Sequence, residues 1–443
     1  MTFPSPAFDG RHGGRPLHLR RLRPADVHPF GSRASDEATL TQAAEIVRDV
    51  QQGGEAALRA HAERLGDLRP GERLTYTAGD LAAALDAVPG TTRALLERTA
   101  DHIRTFAEAQ RRCLSDLTVP VPGGLAGHTV APVETAGCYA PGGRYPLPSS
   151  VLMTAVTARV AGVRQVIVAS PRPAPVTLAA AAVARADLLL AAGGAQAIAA
   201  LAYGAGPVPA CDIVVGPGNR WVTAAKQVVA TTVGIDMLAG PSELVVLANA
   251  SADPALVAAD LLAQAEHDPD ALPILVTTAD GLIPAIEDEL ARQLADLPTA
   301  DVARAALAHG FVVHAADLEE AVAVCNRLAP EHLALHVENP ATWKPALRHY
   351  GALFEGARSA EVLGDYGIGP NHVLPTGGTA RFRGGLSVLT FLRVRTWLRI
   401  GDGPDVEAVA HDAAELARLE GLEAHARSAE RRGTGKVSPV LSR

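Results

Sequence analysis

The sequence predicts an α/β protein made of two tandem Rossmann-like α/β/α units, with a helical N-terminal region and a small helical C-terminal tail domain. Two observations carry this. From Gly137 onward, the short β-prone runs Val166–Ala169, Leu188–Leu190, Ile213–Val215 and Leu244–Leu247 alternate with helical stretches at Ser149–Ala161, Val176–Ala184, Ala195–Tyr203 and Val222–Thr231. Such alternation means βαβ crossovers over a mainly parallel sheet. A second alternating block runs from Ile274–Thr277 to Leu333–Val337, so two units follow one another and leave a crevice where a ligand would sit.

The other elements follow in order. Residues 1–34 show no periodic pattern and read as an arm. Leu40–Gln51 and Glu55–Leu65 have helical apolar spacing and are split by Gly53-Gly54. Two more helices are expected at Leu81–Val88 and Thr91–Gln110, and the Pro/Gly-rich passage Leu117–Val133 is strand-like. After Thr379 the alternation fades. Val406–Arg431 reads as helix, with Leu416, Leu419, Leu422 and Ala426 as its apolar stripe.

Composition narrows the function classes. A chain of 443 residues with 48% hydrophobic and 20% charged residues can bury a large core. A net charge of −8 gives no electrostatic case for nucleic acid as the main partner. The most apolar region, Val176–Ala205, is interrupted by Arg185, Asp187 and a Gly-Gly pair, so it is not expected to span a membrane. The Arg-rich start lacks the apolar core of a secretory signal. Cys113, Cys138, Cys211 and Cys325 form no C-x-x-C pair, which suits a reducing, cytoplasmic setting.

Several stretches could carry chemistry. In Leu261–Asp268, Val257, Leu261 and Ala265 recur at helical spacing, and Gln264 and His267, three apart, point the same way. Asp268-Pro269 stops that helix, leaving two ligand-capable side chains at its rim. Taken alone, a His in a last turn ordinarily serves the helix dipole and water. Gly-rich turns at Ala140–Gly143, Gly193–Gln196 and Gly216–Asn219 follow strands and would let a phosphate approach backbone N–H groups, although none reads G-x-G-x-x-G. Tyr139, Gln196 and Asn219 stand beside them. Pro330–Leu333 pairs a carboxylate, Glu331, with an imidazole, His332, at the start of a strand. Neighbours on an extended chain face opposite ways, so both serve one site only if the chain bends there. The loop Gly364–Pro375, dense in Gly, Pro, Asp and His, offers Asp365 and His372. Glu420 and His425, five apart on the tail helix, read from spacing alone as a solvated face.

Together these motifs resemble the L-histidinol dehydrogenase family. Residues 137–153, 193–204, 216–219, 235–243, 260–269, 329–333, 364–376 and 420–426 occur in the family's order and spacing. The resemblance implies a zinc- and NAD-dependent oxidation of L-histidinol through the aldehyde to L-histidine. It implies Gln264, His267, Asp365 and His425 as zinc ligands and Glu331 and His332 as the acid/base pair. Ser242, His372 and Glu420 would hold substrate beside the metal and acid/base residues, and Tyr139, Gln196 and Asn219 would contact NAD. It further implies a homodimer with shared active sites, each completed by the partner's tail. On this reading residues 1–34 are an arm, and 35–136 plus 242–380 form the α/β domain carrying the metal and acid/base residues. Residues 137–241 form the NAD-binding domain, and 381–443 the tail that reaches the partner subunit. Arg381–Gly385 and Phe391–Arg395 depart from the family's usual Ser-rich and Lys-containing versions. Two alternatives stay open: a zinc hydrolase, which leaves the Gly-rich turns unexplained, and an NAD-dependent dehydrogenase of another amino alcohol. None of the four cysteines sits in a setting that would activate a thiol.

Overall fold

A computed structural model describes residues 18–30, 36–142 and 145–433. The chain opens with β1 (Arg20–Leu22), α1 (Glu37–Arg64), β2 (Thr75–Thr77), α2 (Ala78–Ala87) and α3 (Gly90–Arg112). A hairpin of β3 (Leu117–Val121) and β4 (Gly124–Pro132) leads into the first alternating run. That run is β5 (Thr135–Tyr139), α4 (Pro148–Ala161), β6 (Gln165–Ala169), α5 (Pro175–Val183), β7 (Leu188–Leu190), α6 (Gly194–Tyr203), β8 (Ile213–Val215), α7 (Arg220–Val229) and β9 (Gly234–Ile235). The second comprises β10 (Glu243–Ala248), α8 (Pro254–Ala265), β11 (Leu272–Thr277), α9 (Leu282–Leu294), α10 (Ala300–Leu307), β12 (Phe311–His314), α11 (Leu318–Leu328), β13 (His332–His336), α12 (Pro340–Trp343) and β14 (Ala352–Glu355). The chain continues through α13 (Glu361–Asp365), β15 (Leu392–Ile400), α14 (Pro404–Leu419) and α15 (Glu423–Gly433).

These strands form three sheets. Sheet 1 has the order β2-β7-β6-β5-β8-β9, parallel except for the antiparallel edge strand β2. Sheet 2, ordered β1-β12-β11-β10-β13-β14, is parallel throughout. Each sheet grows outward from its first central strand, β5 or β10, and then restarts on that strand's other side. The restarts between β5 and β8, and between β10 and β13, are topological switch points; in folds of this kind ligands bind outside the carboxyl ends of the strands at such a point, which applies here to sheet 1. Strands with helices on both faces are apolar along their whole length, as in Leu244–Ala248, which is fully buried. Sheet 3 is antiparallel, in the order β15-β4-β3.

Helices cover both faces of sheet 1. On one side α3, α4 and α5 pack around Ile103, Leu152 and Met153; on the other α1, α6 and α7 pack around Val47, Leu58 and Ile198. The N-terminal helices therefore belong with residues 137–241 and not with 242–380. Sequence order does not reveal this, because β2, the three-residue strand that adds the N-terminal region to sheet 1, is too short to carry a period. The expected break in α1 is present: Gly54, with φ 56° and ψ −137°, lies outside helical geometry, so two helical segments meet at a kink there.

Two further expectations change. Within the arm, Arg20–Leu22 extends the edge of sheet 2 by pairing with β12; residues 1–17 and 31–34 lie outside the described residues. The tail is not purely helical either, since β15 pairs with β4 over nine residues, from Leu392 opposite Pro132 to Ile400 opposite Gly124. Its helices break at Glu420–Leu422, and of the expected stripe only Ala426 is buried. Leu416, Leu419 and Leu422 are 60%, 86% and 43% exposed in the single chain. No helix among the described residues is long and apolar enough to cross a membrane.

Candidate active site

Glu331 and His332, the pair expected to act as acid and base, gather where β10 and β13 begin side by side, at the amino ends of sheet 2. Leu244 stands opposite His332 there. Ala329 closes α11 in a left-handed conformation, with φ 52°, and Pro330 follows, so the chain bends at Glu331 before β13 starts. The bend supplies the condition the sequence imposed. Both side chains are buried, and His332 Nδ1 lies 3.7 Å from Glu331 Oε2.

Each is held by the first residues of the neighbouring strand. Glu331 Oε2 accepts the Glu243 N–H at 3.1 Å, and the Ser242 side chain also hydrogen-bonds the carboxyl. His332 Nδ1 lies 3.1 Å from the Glu243 carbonyl oxygen. A carbonyl only accepts, so Nδ1 carries the proton, and Nε2 keeps its lone pair with no hydrogen-bond partner. Burial pushes this imidazole down to about 4, leaving it neutral at neutral pH with the Nε2 lone pair free. Burial first, and then the nearby Glu243 carboxylate, pushes the Glu331 carboxyl well above the ordinary range.

Helix α8 brings the next group to this edge, because it runs back across the sheet from the carboxyl end of β10. Gln264, in its last turn, is fully buried, and neither its Oε1 nor its Nε2 has a partner. His267 follows just past the C-cap and places Nε2 3.8 Å from Asp365 Oδ2. Asp365 ends the short helix α13 and Glu361 begins it; four residues apart, the two carboxylates share a face. Donor atoms of His267, Glu361 and Asp365 all lie within 4.8 Å of one another. Glu361 Oε1 also comes within 3.6 Å of His332 Nδ1. Burial, Asp365 and Glu331 push its carboxyl well up.

A divalent cation suits this cluster. A buried amide without partners costs about 1–3 kcal/mol per unsatisfied group, so a ligand that takes up the Gln264 oxygen removes a real penalty. The same charge would relieve the repulsion among Glu331, Glu361 and Asp365. Imidazole nitrogen with carboxylate and amide oxygen is a donor set that zinc accepts.

His372 joins the site through backbone: its Nδ1 lies 2.9 Å from the Asp365 carbonyl oxygen and its Nε2 3.3 Å from Ser150 Oγ. Glu420, the C-cap of α14, and His425, in the first turn of α15, are exposed and are not brought to the cluster within one chain. Glu361 and Glu243 were not singled out from the sequence. For Glu361 a signal existed, the i, i+4 spacing to Asp365.

The three residues expected to contact a nucleotide lie on sheet 1, at the carboxyl ends of its strands. Tyr139 ends β5, and its hydroxyl accepts the Gly194 N–H at 3.2 Å. Gln196 Nε2 donates to Asp67 at 2.9 Å, while the buried Oε1 has no partner. Asn219 caps α7, accepting the N–H groups of Trp221 and Val222 at 3.1 and 3.3 Å. A Cβ on Gly216 would sit 2.0 Å from the Tyr139 carbonyl oxygen, so the turn between these residues requires glycine. Close backbone and an unpaired buried acceptor suit a polar cofactor.

A sequence profile of the histidinol dehydrogenase family matches residues 31–433. The chain belongs to this family. Histidinol dehydrogenase from Thermus thermophilus is 49% identical over 388 residues, covering 87% of this chain and 93% of that protein. The enzyme from Ralstonia nicotianae is 43% identical, with 94% and 98% covered. A crystal structure of histidinol dehydrogenase from Elizabethkingia anophelis matches with a TM-score of 0.88 at 28% identity, covering 95% of this chain and 99% of that one. Membership makes the protein an oxidoreductase of histidine biosynthesis.

Proposed function

We propose that the protein oxidises L-histidinol to L-histidine through the aldehyde, with zinc and NAD, in the cytoplasm. The observation that carries the reading is the Glu331–His332 pair, two buried proton acceptors in one site, His332 for the two oxidations and Glu331 for the water added between them. His332 Nε2, unpartnered and neutral, takes the proton of the alcohol in the first half. Glu331, made more basic by burial and Glu243, takes a proton from water so that the aldehyde becomes a hydrate. His332 returns its proton to the carbonyl oxygen as the hydrate forms, which frees Nε2 to take the hydrate's proton in the second oxidation.

Gln264, His267 and Asp365 would hold zinc together with His425 of the partner subunit, and the ion would orient the substrate's amine and imidazole as a Lewis acid. NAD would accept hydride, held by Tyr139, Gln196 and Asn219 on a Rossmann-like unit of residues 36–241. The metal and acid/base residues lie on a second such unit, residues 242–380. Ser242 and His372, with Glu420 of the partner subunit, would bind substrate. Dimerisation with exchanged tails is supported by the exposed Leu416, Leu419 and Leu422, apolar side chains left open by the described residues of one chain.

The test is NADH absorbance with L-histidinol, with and without chelation. Activity is expected to vanish on chelation and to return with zinc. Full activity in protein free of divalent metal would overturn the metal assignment, and turnover without NAD would favour a hydrolase.

A further inference from the structure

A buried ion pair stands outside the chemistry just described. Lys226 Nζ lies 2.5 Å from Asp236 Oδ1, and the two side chains are 3% and 1% exposed. Both also grip one residue. Lys226 Nζ donates to the Gly216 carbonyl oxygen at 2.6 Å, and Asp236 Oδ2 accepts the Gly216 N–H at 2.7 Å. Gly216 has φ 115° and no room for a side chain, so the turn Gly216–Asn219 cannot be anchored by its own first residue. It is held from outside by two charges.

The pair also fixes where the chain leaves sheet 1. Asp236 directly follows β9, and its Oδ1 accepts the Met237 N–H at 2.6 Å. The Asp236 carbonyl oxygen accepts from Arg383 Nη1 at 2.6 Å, and Thr223, on the same helix as Lys226, donates to the Ala239 carbonyl oxygen at 2.7 Å. A buried ion pair is a poor source of net stability, because desolvation offsets most of its attraction, and apolar residues of similar volume often serve as well. What apolar residues would not supply is a donor and an acceptor aimed at one glycine.

We propose that Lys226 and Asp236 are positioning residues that hold the Gly216–Asn219 turn in its cofactor-receiving conformation before the cofactor arrives. The inference rests on the placing of NAD at this turn. A pre-set turn lowers the ordering cost of binding, so the pair acts on cofactor affinity and not on proton transfer.

Lys226→Met combined with Asp236→Leu removes both charges without leaving either one buried alone. The double variant is expected to bind NAD about tenfold more weakly, the effect of losing hydrogen bonds to charged groups, with L-histidinol affinity within about twofold of wild type. NAD KM should rise while kcat is largely kept. Hydrogen exchange gives a second readout: residues 213–220 should be protected in the wild-type enzyme without NAD and should loosen in the double variant. A folded double variant with unchanged NAD affinity would overturn the proposal. If the variant does not fold, the wild-type enzyme decides. A turn that exchanges freely until NAD is added is not pre-set, and a turn protected without NAD upholds the proposal. Asn219→Ala separates the two readings. If it weakens NAD binding while the double variant does not, only the positioning role falls; if neither weakens it, the placing of the cofactor falls and takes the positioning role with it.

Discussion

Gln264 is the side chain whose replacement should separate stability from function most clearly. It is fully buried, and both amide atoms lack partners. In metal-free protein each unsatisfied group costs about 1–3 kcal/mol, and Gln264→Leu removes both while keeping most of the volume. Shape mismatch offsets part of the gain. The metal-free variant should therefore be more stable than metal-free wild type by about 2 kcal/mol. With zinc the order should change, because ligand binding to the native state alone stabilises in proportion to the logarithm of its affinity, and only wild type keeps the full ligand set. The assay is thermal unfolding of both proteins after chelation and again at a fixed excess of zinc, with bound metal measured on the same samples. A variant that is less stable than wild type after chelation, yet gains as much from zinc, would refute the reasoning. It would mean that Gln264 packs as a core residue and does not face the metal.

Two further outcomes follow from the same geometry. His425→Ala and His332→Ala should each give nearly inactive dimers. Co-expression should restore activity, since one site of the heterodimer combines an intact body with an intact tail; co-expressed dimers as inactive as either parent would place His425 in its own chain's site. Burial holds the Cys138 and Cys325 thiols up at about 12 and raises that of Cys211 as well, so these buried thiols stay protonated at pH 8. Iodoacetamide under native conditions should label the exposed Cys113 and leave activity intact, and inactivation that tracks labelling of a buried cysteine would instead indicate thiol chemistry.

The central α/β pattern was legible because its elements follow simple periods. β7 and β8 begin and end where the apolar runs do, and α4 to α7 start within two residues of the positions that spacing marks. What sequence did not yield depends on pairing across distance. The strand β1 is three residues inside an otherwise patternless arm, and it becomes a strand only because β12 offers an open edge. In β15, Leu392, Val394, Leu398 and Ile400 do alternate with Arg393, Arg395, Trp397 and Arg399, a period-two signal obscured by the helical residues after it. At the site, Glu331 and His332 were visible as a pair, but the bend that lets them work together comes from Ala329 and Pro330. Glu243 is a single acidic residue with no local signature, Glu361 offers only its i, i+4 spacing to Asp365, and folding brings both against Glu331 and His332.

The central claim is that one site carries out two successive oxidations without releasing the aldehyde, and product stoichiometry tests it most directly. With limiting L-histidinol and excess NAD, NADH and the organic product are measured together at completion. Two NADH and one histidine per histidinol, with no free aldehyde, is the predicted result. One NADH per histidinol with accumulating aldehyde would contradict it, because Glu331 would then have no water to activate.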